Sequence, residues 1–360
     1  MILYENIEAC LMLGSYMDTI GYNNGKYEFN FNENIFTDNE AYDMWIRIIT
    51  DFFSNEHDIS KMKSSDDTIM MIHTGFVMLN DNIQPITFIN QYIKAYKDLI
   101  KKERGNGNRL MASLEYFNKF GIKGYNDKYM DTGGGNGAAM RAATIGIRFY
   151  NNIDKIMDYT ISDGKITHNN PYGYLGSMCV GLMISYAINT IDPKEWIKNI
   201  LEIYNNNIHF KKIKQQILTK EHRFEFNNFF VILEQFQNRN IVENKLEQKE
   251  IFNIMKKYEP AYNNNDYSVY GQSGLGLIIA VMFCILNCVK YNKKKYIVNF
   301  KKSLIFSSLC FGDSDTIGMI VGNIIGIMSG YKYIKNIDFK KLEFYDEIKL
   351  LSKKIYKKIF

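Results

Sequence analysis

Two stretches of this 360-residue sequence set carboxylates and hydroxyls side by side in front of an apolar run. One is Cys310-Phe311-Gly312-Asp313-Ser314-Asp315-Thr316, followed by the apolar segment Ile317 to Met328. The other is Lys63-Ser64-Ser65-Asp66-Asp67-Thr68, followed by Ile69-Met70-Met71-Ile72. Either one alone reads as helix N-capping, since Ser and Asp at a helix start satisfy free backbone N–H groups and favour the positive end of the dipole. An Asp-Asp in one and an Asp-x-Asp in the other exceed what a cap requires. Four carboxylates with flanking hydroxyls form an oxygen-rich set suited to a hard divalent cation such as Mg2+, or to a pair of them.

Helices must bring the two stretches together. Gly318, Gly322, Gly326 and Gly330 recur every four residues, which sets them on one helix face able to approach a neighbour at close range. The carboxylates at the mouth of that helix then lie deep in the molecule, where unpaired charge is expensive, so a cation is expected to meet them. Periodic apolar segments predict further helices over Ile7 to Ile20, Ala41 to Phe53, Ile69 to Met78, Ile86 to Lys101 and from Pro171 to Asn189. Asp18 and Glu28 bracket an Asn- and Gly-rich turn that suits positive φ values. Residues 193–258 read as scaffold, and residues 262–274 as a loop that could rim a pocket. Only four prolines occur, β-branched alternation is scarce, and no repeat or linker divides the chain. The expected fold is all-α, one compact many-helix domain over residues 1–360.

A glycine cluster, Gly133-Gly134-Gly135-Asn136-Gly137, runs into Ala138-Ala139-Met140-Arg141. Its backbone could cradle a phosphate at a helix start, or it could be a flexible loop; it fits neither the P-loop nor the dinucleotide pattern. His168, just before Pro171, could be a structural donor or a catalyst.

Composition is that of a globular protein, 46% hydrophobic and 23% charged, with 26 Tyr and 24 Phe. A net charge of +5 is mild, and Lys293-Lys294-Lys295 and the lysines of the tail read as solvated helix faces rather than a nucleic-acid patch. The cysteines Cys10, Cys179, Cys284, Cys288 and Cys310 lie mostly in apolar segments without a zinc pattern, as reduced core thiols do. Nothing at the N-terminus reads as a signal peptide, and the longest apolar runs fall short of the roughly 20 residues a membrane span needs. A cytoplasmic protein with no membrane or nucleic-acid partner is expected.

In their order along the chain, five stretches resemble the ADP-ribosylglycohydrolase family. They are Gly21 to Phe29, Ser65-Asp66-Asp67-Thr68, Gly135 to Arg141, Thr167-His168 through Gly176, and Gly312 to Thr316. The first, with Ile145 to Phe149 and Pro171 to Gly176, looks most like the ADP-ribosylarginine hydrolase branch. The resemblance implies an all-helical domain with a central two-magnesium site, Mn2+ being the other candidate metal. It implies that Ser65, Asp66 and Asp67 hold the metals from one side and Asp313, Asp315 and Thr316 from the other. Gly133, Gly134, Gly135, Asn136 and Gly137 would wrap the diphosphate and ribose, with Arg141 steadying the loop or the anion. His168 would point at the ribose or phosphate, and Tyr270 would touch the adenosine end. Asp67 would assist the attacking water, with Asp66 or Glu28 next in line.

The expected activity is hydrolysis of the N-glycosidic bond between ADP-ribose and protein arginine, with ADP-ribosylated proteins as substrate, ADP-ribose as product and a monomer as the working form. The alternatives are an ADP-ribose-binding pseudoenzyme and a hydrolase of O-linked ADP-ribose. Three departures from the family pattern accompany the match: Met17 before Asp18, Phe311 before Gly312, and Leu275-Gly276 where the arginine branch tends to have His-Asp.

Overall fold

Helices supply nearly all the regular structure of a computed structural model that describes residues 3–27, 38–55, 57–104, 107–125, 128–217, 219–238, 270–310 and 312–360. The first half holds α1 (Tyr4–Tyr22), α2 (Asp38–Ser54), α3 (Asp66–Val77), α4 (Pro85–Lys101), α5 (Asn108–Phe120), α6 (Ala143–Arg148) and α7 (Ile153–Thr167). There follow α8 (Pro171–Ile188), α9 (Trp196–Asn206), α10 (Ile208–Gln215), α11 (Lys220–Gln237) and α12 (Gly274–Cys288). A short hairpin, β1 (Val289–Asn292) and β2 (Lys295–Val298), leads to α13 (Phe300–Phe306), α14 (Ser314–Ser329) and α15 (Tyr345–Ile359).

The glycine stripe of α14 meets α1. A Cβ at Gly318 would stand 2.8 Å from Met17 O, one at Gly322 2.4 Å from Leu13 O, and one at Gly326 2.4 Å from Ala9 O. The contacts run in opposite directions along the two helices, so the pair is antiparallel and the C-terminal end of α1 faces the N-terminal end of α14. Asn323 Nδ2 donates to Cys10 O at 2.8 Å and Ser314 Oγ to Gly21 O at 2.8 Å, which fixes the register. Only residues without side chains allow backbones this close, and the sequence supplies them at one per turn.

Around this pair lie α8 and α12, apolar on nearly every side and buried along almost their whole lengths, as a helix without a polar face must be. Amphipathic helices such as α4, α9 and α15 form the outer layer, each turning one apolar stripe inward. All five cysteines are buried and free. No helix among the described residues is long and apolar enough to cross a membrane.

One sequence expectation is corrected here. Lys293-Lys294-Lys295 do not line a helix: Lys293 and Lys294 form the two-residue turn of the hairpin with φ of 48° and 61°, and Lys295 pairs with Asn292. Positive φ at both central positions is the twist a two-residue hairpin favours, and it normally shows as Asn or Gly. Lysine there hid the turn.

Candidate functional site

The first wall of the site is the N-terminus of α3. Ser65 caps it, its hydroxyl accepting from Asp67 N at 3.1 Å. Asp18, near the end of α1 and fully buried, accepts from Ser65 N at 3.2 Å and from the Thr68 hydroxyl. The chain entering α3 is pinned from outside as well. Asn24, held in the left-handed region at φ 56°, accepts from Lys63 N at 2.9 Å and donates to Lys61 O at 3.1 Å. Ser64 O accepts from Arg104 Nε at 2.8 Å, and Ser64 N donates at 3.2 Å to Glu343, which also pairs with Arg104 at 3.1 Å and Lys102 at 3.0 Å.

The second wall is the N-terminus of α14. Asp313 N donates to Tyr270 O at 2.9 Å, and Thr316 N to Asp315 Oδ1 at 2.8 Å. Asp313, Ser314, Asp315 and Thr316 are all buried.

The third wall is the glycine loop. Gly135 bridges Ser273 in antiparallel fashion, Gly274 N donates to Gly134 O at 3.0 Å, and Asn136 N to Gln272 O at 3.0 Å. The Asn136 amide reaches Gly271 O at 2.7 Å and Asp313 Oδ2 at 2.8 Å, tying the loop to the second wall. Beneath the loop, Arg141 is wholly buried, donating to Gly137 O at 2.9 Å, Thr167 Oγ1 at 2.9 Å and Asp163 Oδ2 at 2.9 Å. Asp163 also accepts from the Tyr92 hydroxyl, which in turn meets Thr74 of α3 at 2.9 Å. His168 lies against the loop: a Cβ at Gly137 would stand 2.7 Å from its Cε1. Burial, then the Arg141 and Arg109 charges, push His168 down to about 3, so its imidazole is neutral.

The carboxylates of the first two walls feel one another. Burial raises Asp67 well above the usual carboxylate range, and the charges of Asp66, Asp18 and Asp313 push it further, with Thr316 beside it working the other way. Burial also raises Asp66 to about 6, with Asp313 adding to the shift, and Asp18 to about 7, against the hydrogen bonds of Ser65 and Thr68. Asp313 is raised mainly by burial. None of these four is in an ion pair with another described residue. Asp67 Oδ2 and Asp313 Oδ1 are buried and receive no hydrogen bond.

Such orphaned, mutually repelling oxygens fit a hard divalent cation, and Ser65 and Thr316 add neutral oxygens to the set. Among the described residues no three His, Cys, Asp or Glu side chains already surround one point in a way that could hold a metal ion. The donors are neighbours rather than a closed coordination shell.

The residues singled out in the sequence thus fall into three groups. Ser65, Asp66, Asp67, Asp313, Asp315 and Thr316 stand at two facing helix starts, with Gly133 to Gly137 beside them. Arg141 and His168 lie beneath the loop, and Tyr270 is buried where its carbonyl holds Asp313 N. Leu275 and Gly276 lie buried in the first turn of α12, where Gly276 N donates to Ser273 Oγ at 2.8 Å. Glu28 and residues 262–269 of the rim loop lie outside the described residues. Sequence reasoning noticed Asp18 as one flank of a turn and beside a departure from the family pattern at Met17, and gave it no place in the site; its signal was a lone acid at the end of an apolar helix. Asp163, Tyr92 and the Arg104–Glu343 pair gave no signal, because their partners are remote in sequence.

The sequence model of ADP-ribosylglycohydrolase matches residues 1–359. ADP-ribosylhydrolase ARH1 of Dictyostelium discoideum is 29% identical over 202 residues, covering 53% of this chain and 50% of that protein. A protein of Acanthamoeba polyphaga mimivirus provisionally named an ADP-ribosyl glycohydrolase is 28% identical over 361 residues, covering 93% of this chain and 66% of its own length. The alignments therefore span only half to two thirds of these relatives. A solved chain of an ADP-ribosylglycohydrolase-related protein complex superposes with a TM-score of 0.62 over 99% of both chains at 14% identity, which shows a shared fold.

Proposed function

The chain belongs to the ADP-ribosylglycohydrolase family, and from that premise we propose that it hydrolyses the N-glycosidic bond between ADP-ribose and an arginine side chain of a modified protein. One observation carries the reading: Asp18, Asp66, Asp67 and Asp313, from three separate segments, load one another with charge next to a glycine loop, and the buried oxygens Asp67 Oδ2 and Asp313 Oδ1 receive no hydrogen bond. A pocket that only bound ADP-ribose would not need so many acids in mutual repulsion.

In this reading Ser65, Asp66, Asp67, Asp313, Asp315 and Thr316 hold two magnesium ions, or manganese in their place. Ions of this kind, when bound, polarise ribose hydroxyls and lower the pKa of a water. The loop Gly133 to Gly137 receives the diphosphate on backbone N–H groups other than those of Gly133 and Asn136, which are paired within the protein, and Arg141 and His168 keep the loop in shape from below. Asp67 takes a proton from the water that attacks the anomeric carbon, with Asp66 or Glu28 as the next candidates. The carbon–nitrogen bond breaks through an oxocarbenium-like transition state, and a carboxyl returns a proton to the departing guanidine. The working unit is a single-domain cytoplasmic monomer that takes ADP-ribosylated protein and releases ADP-ribose.

A second reading keeps the hydrolysis and changes the acceptor to an O-linked ADP-ribose. It is favoured by Leu275-Gly276, buried where a polar pair is usual in the arginine branch. The discriminating experiment is release of free ADP-ribose from arginine-ADP-ribosylated protein, with magnesium and then with EDTA, beside a serine-ADP-ribosylated substrate. Magnesium-dependent release from arginine alone is expected. Release from serine moves the acceptor, and tight binding of ADP-ribose with no release from either substrate overturns hydrolysis.

A further inference from the structure

Asn136 belongs by sequence to the glycine loop, yet its side-chain amide is taken up by two acceptors of the protein itself. Both of its amide hydrogens are engaged, one with Gly271 O at 2.7 Å and one with Asp313 Oδ2 at 2.8 Å. The first bond locks the amide plane, so the second is aimed. It takes up one oxygen of Asp313 and leaves the other, Oδ1, buried and without a hydrogen bond, on a carboxylate whose charge raises both Asp66 and Asp67. A carboxylate with both oxygens free could turn either one, or both, towards a cation. Here a neutral donor fixes which oxygen is offered, and it adds no charge of its own to the cluster.

We propose that Asn136 is a positioning residue for the metal side of the site: it presents Asp313 Oδ1 to the cation and contributes little of its own to nucleotide affinity. The inference rests on the metal-dependent reading above. Outer partners of ligating carboxylates set ligand orientation, and losing one typically lowers metal affinity by about 10–100-fold. The loop, by contrast, meets a diphosphate through backbone N–H groups that Asn136→Ala leaves in place.

The test measures two affinities separately, with no turnover involved. Mn2+ binding to the metal-free protein is followed by the electron paramagnetic resonance of the free ion, without nucleotide. ADP-ribose binding is followed by calorimetry in EDTA, and melting is recorded in EDTA as well. Asn136→Ala is expected to weaken Mn2+ binding by about 10–100-fold. ADP-ribose affinity in EDTA should hold, and melting should move by no more than a few degrees. Unchanged Mn2+ affinity overturns the proposal. So does a joint fall of metal affinity, nucleotide affinity and melting temperature, which marks a general loss of loop structure. If Asn136→Ala does not fold, Asn136→Ser carries the same expectations with a polar side chain retained. A wild-type protein that binds no Mn2+ at all overturns the functional reading itself, an outcome distinct from either result on the variant.

Discussion

Asp67 sits where three like charges converge on a buried carboxyl, and nothing in its own sequence neighbourhood relieves them. A residue kept in that position must answer to something other than folding. Asp67→Asn removes a charge without changing shape, as does Asp315→Asn at the facing helix start. Each is expected to lower ADP-ribose release by about 100-fold or more while the circular dichroism spectrum is unchanged. The same reasoning gives a second readout with the opposite sign. In EDTA, Asp67→Asn should melt above the wild type, because it removes a repelled, desolvated charge. Near-normal turnover in both variants would sink the assignment of these aspartates. His168 and Arg141 act at the same scale but differently: one is held neutral and the other is hydrogen-bonded through all three of its guanidinium nitrogens, and both shape the loop from beneath.

Among the elements, α1 and α14 carry the geometry on which the site depends. Their backbones approach so closely that a methyl group at Gly322 would meet a carbonyl oxygen, not a flexible side chain. Gly322→Ala should therefore destabilise the protein by at least about 1–3 kcal/mol, the range for overpacking a core. It should also lower turnover in whatever fraction stays folded, since the helices can separate only by moving Asp18 away from Asp315. Thermal melting beside specific activity checks both; an unchanged melting temperature would mean that the helices slide apart freely. The second structural element is the buried chain Arg141–Asp163–Tyr92–Thr74, which links the underside of the glycine loop to α3. It gives the two walls a common foundation.

At the scale of the whole molecule, segments far apart in sequence, around Asn24, Ser64, Arg104 and Glu343, meet at one turn. Glu343, just before α15, holds Ser64 N directly and Ser64 O through Arg104. Glu343→Ala is expected to cost about 1–3 kcal/mol, because it strands a nearly buried guanidinium and a backbone N–H. It should raise the magnesium concentration needed for half-maximal turnover as well, which a titration would show. A shift in stability without a shift in that titration would mean that the clamp serves the fold alone. The sequence made much of this architecture legible. Acids set against apolar runs announced the two helix starts, and glycines spaced by four announced the close helix pair. What stayed hidden was pairing at a distance: the Asn136–Asp313 bond spans 177 residues, and Asp163 beneath the loop looks like any acid on a helix. The hairpin stayed hidden for a local reason, since lysines occupy the positions that glycine or asparagine would mark.

The antiparallel partnership of α1 with α14 also bears on how the molecule is made. Met17 finds Gly318 only after roughly 300 further residues have left the ribosome, about 15–60 s at ordinary rates of synthesis. Throughout that interval the first helix can meet the start of α3 through Asp18, Ser65 and Thr68, but the face that packs on α14 has no partner yet. The nascent chain must keep that face from wrong partners until Ser314 to Ser329 have been made. Two of the acidic walls cannot face each other before then, so the centre cannot be completed until α14 has been made.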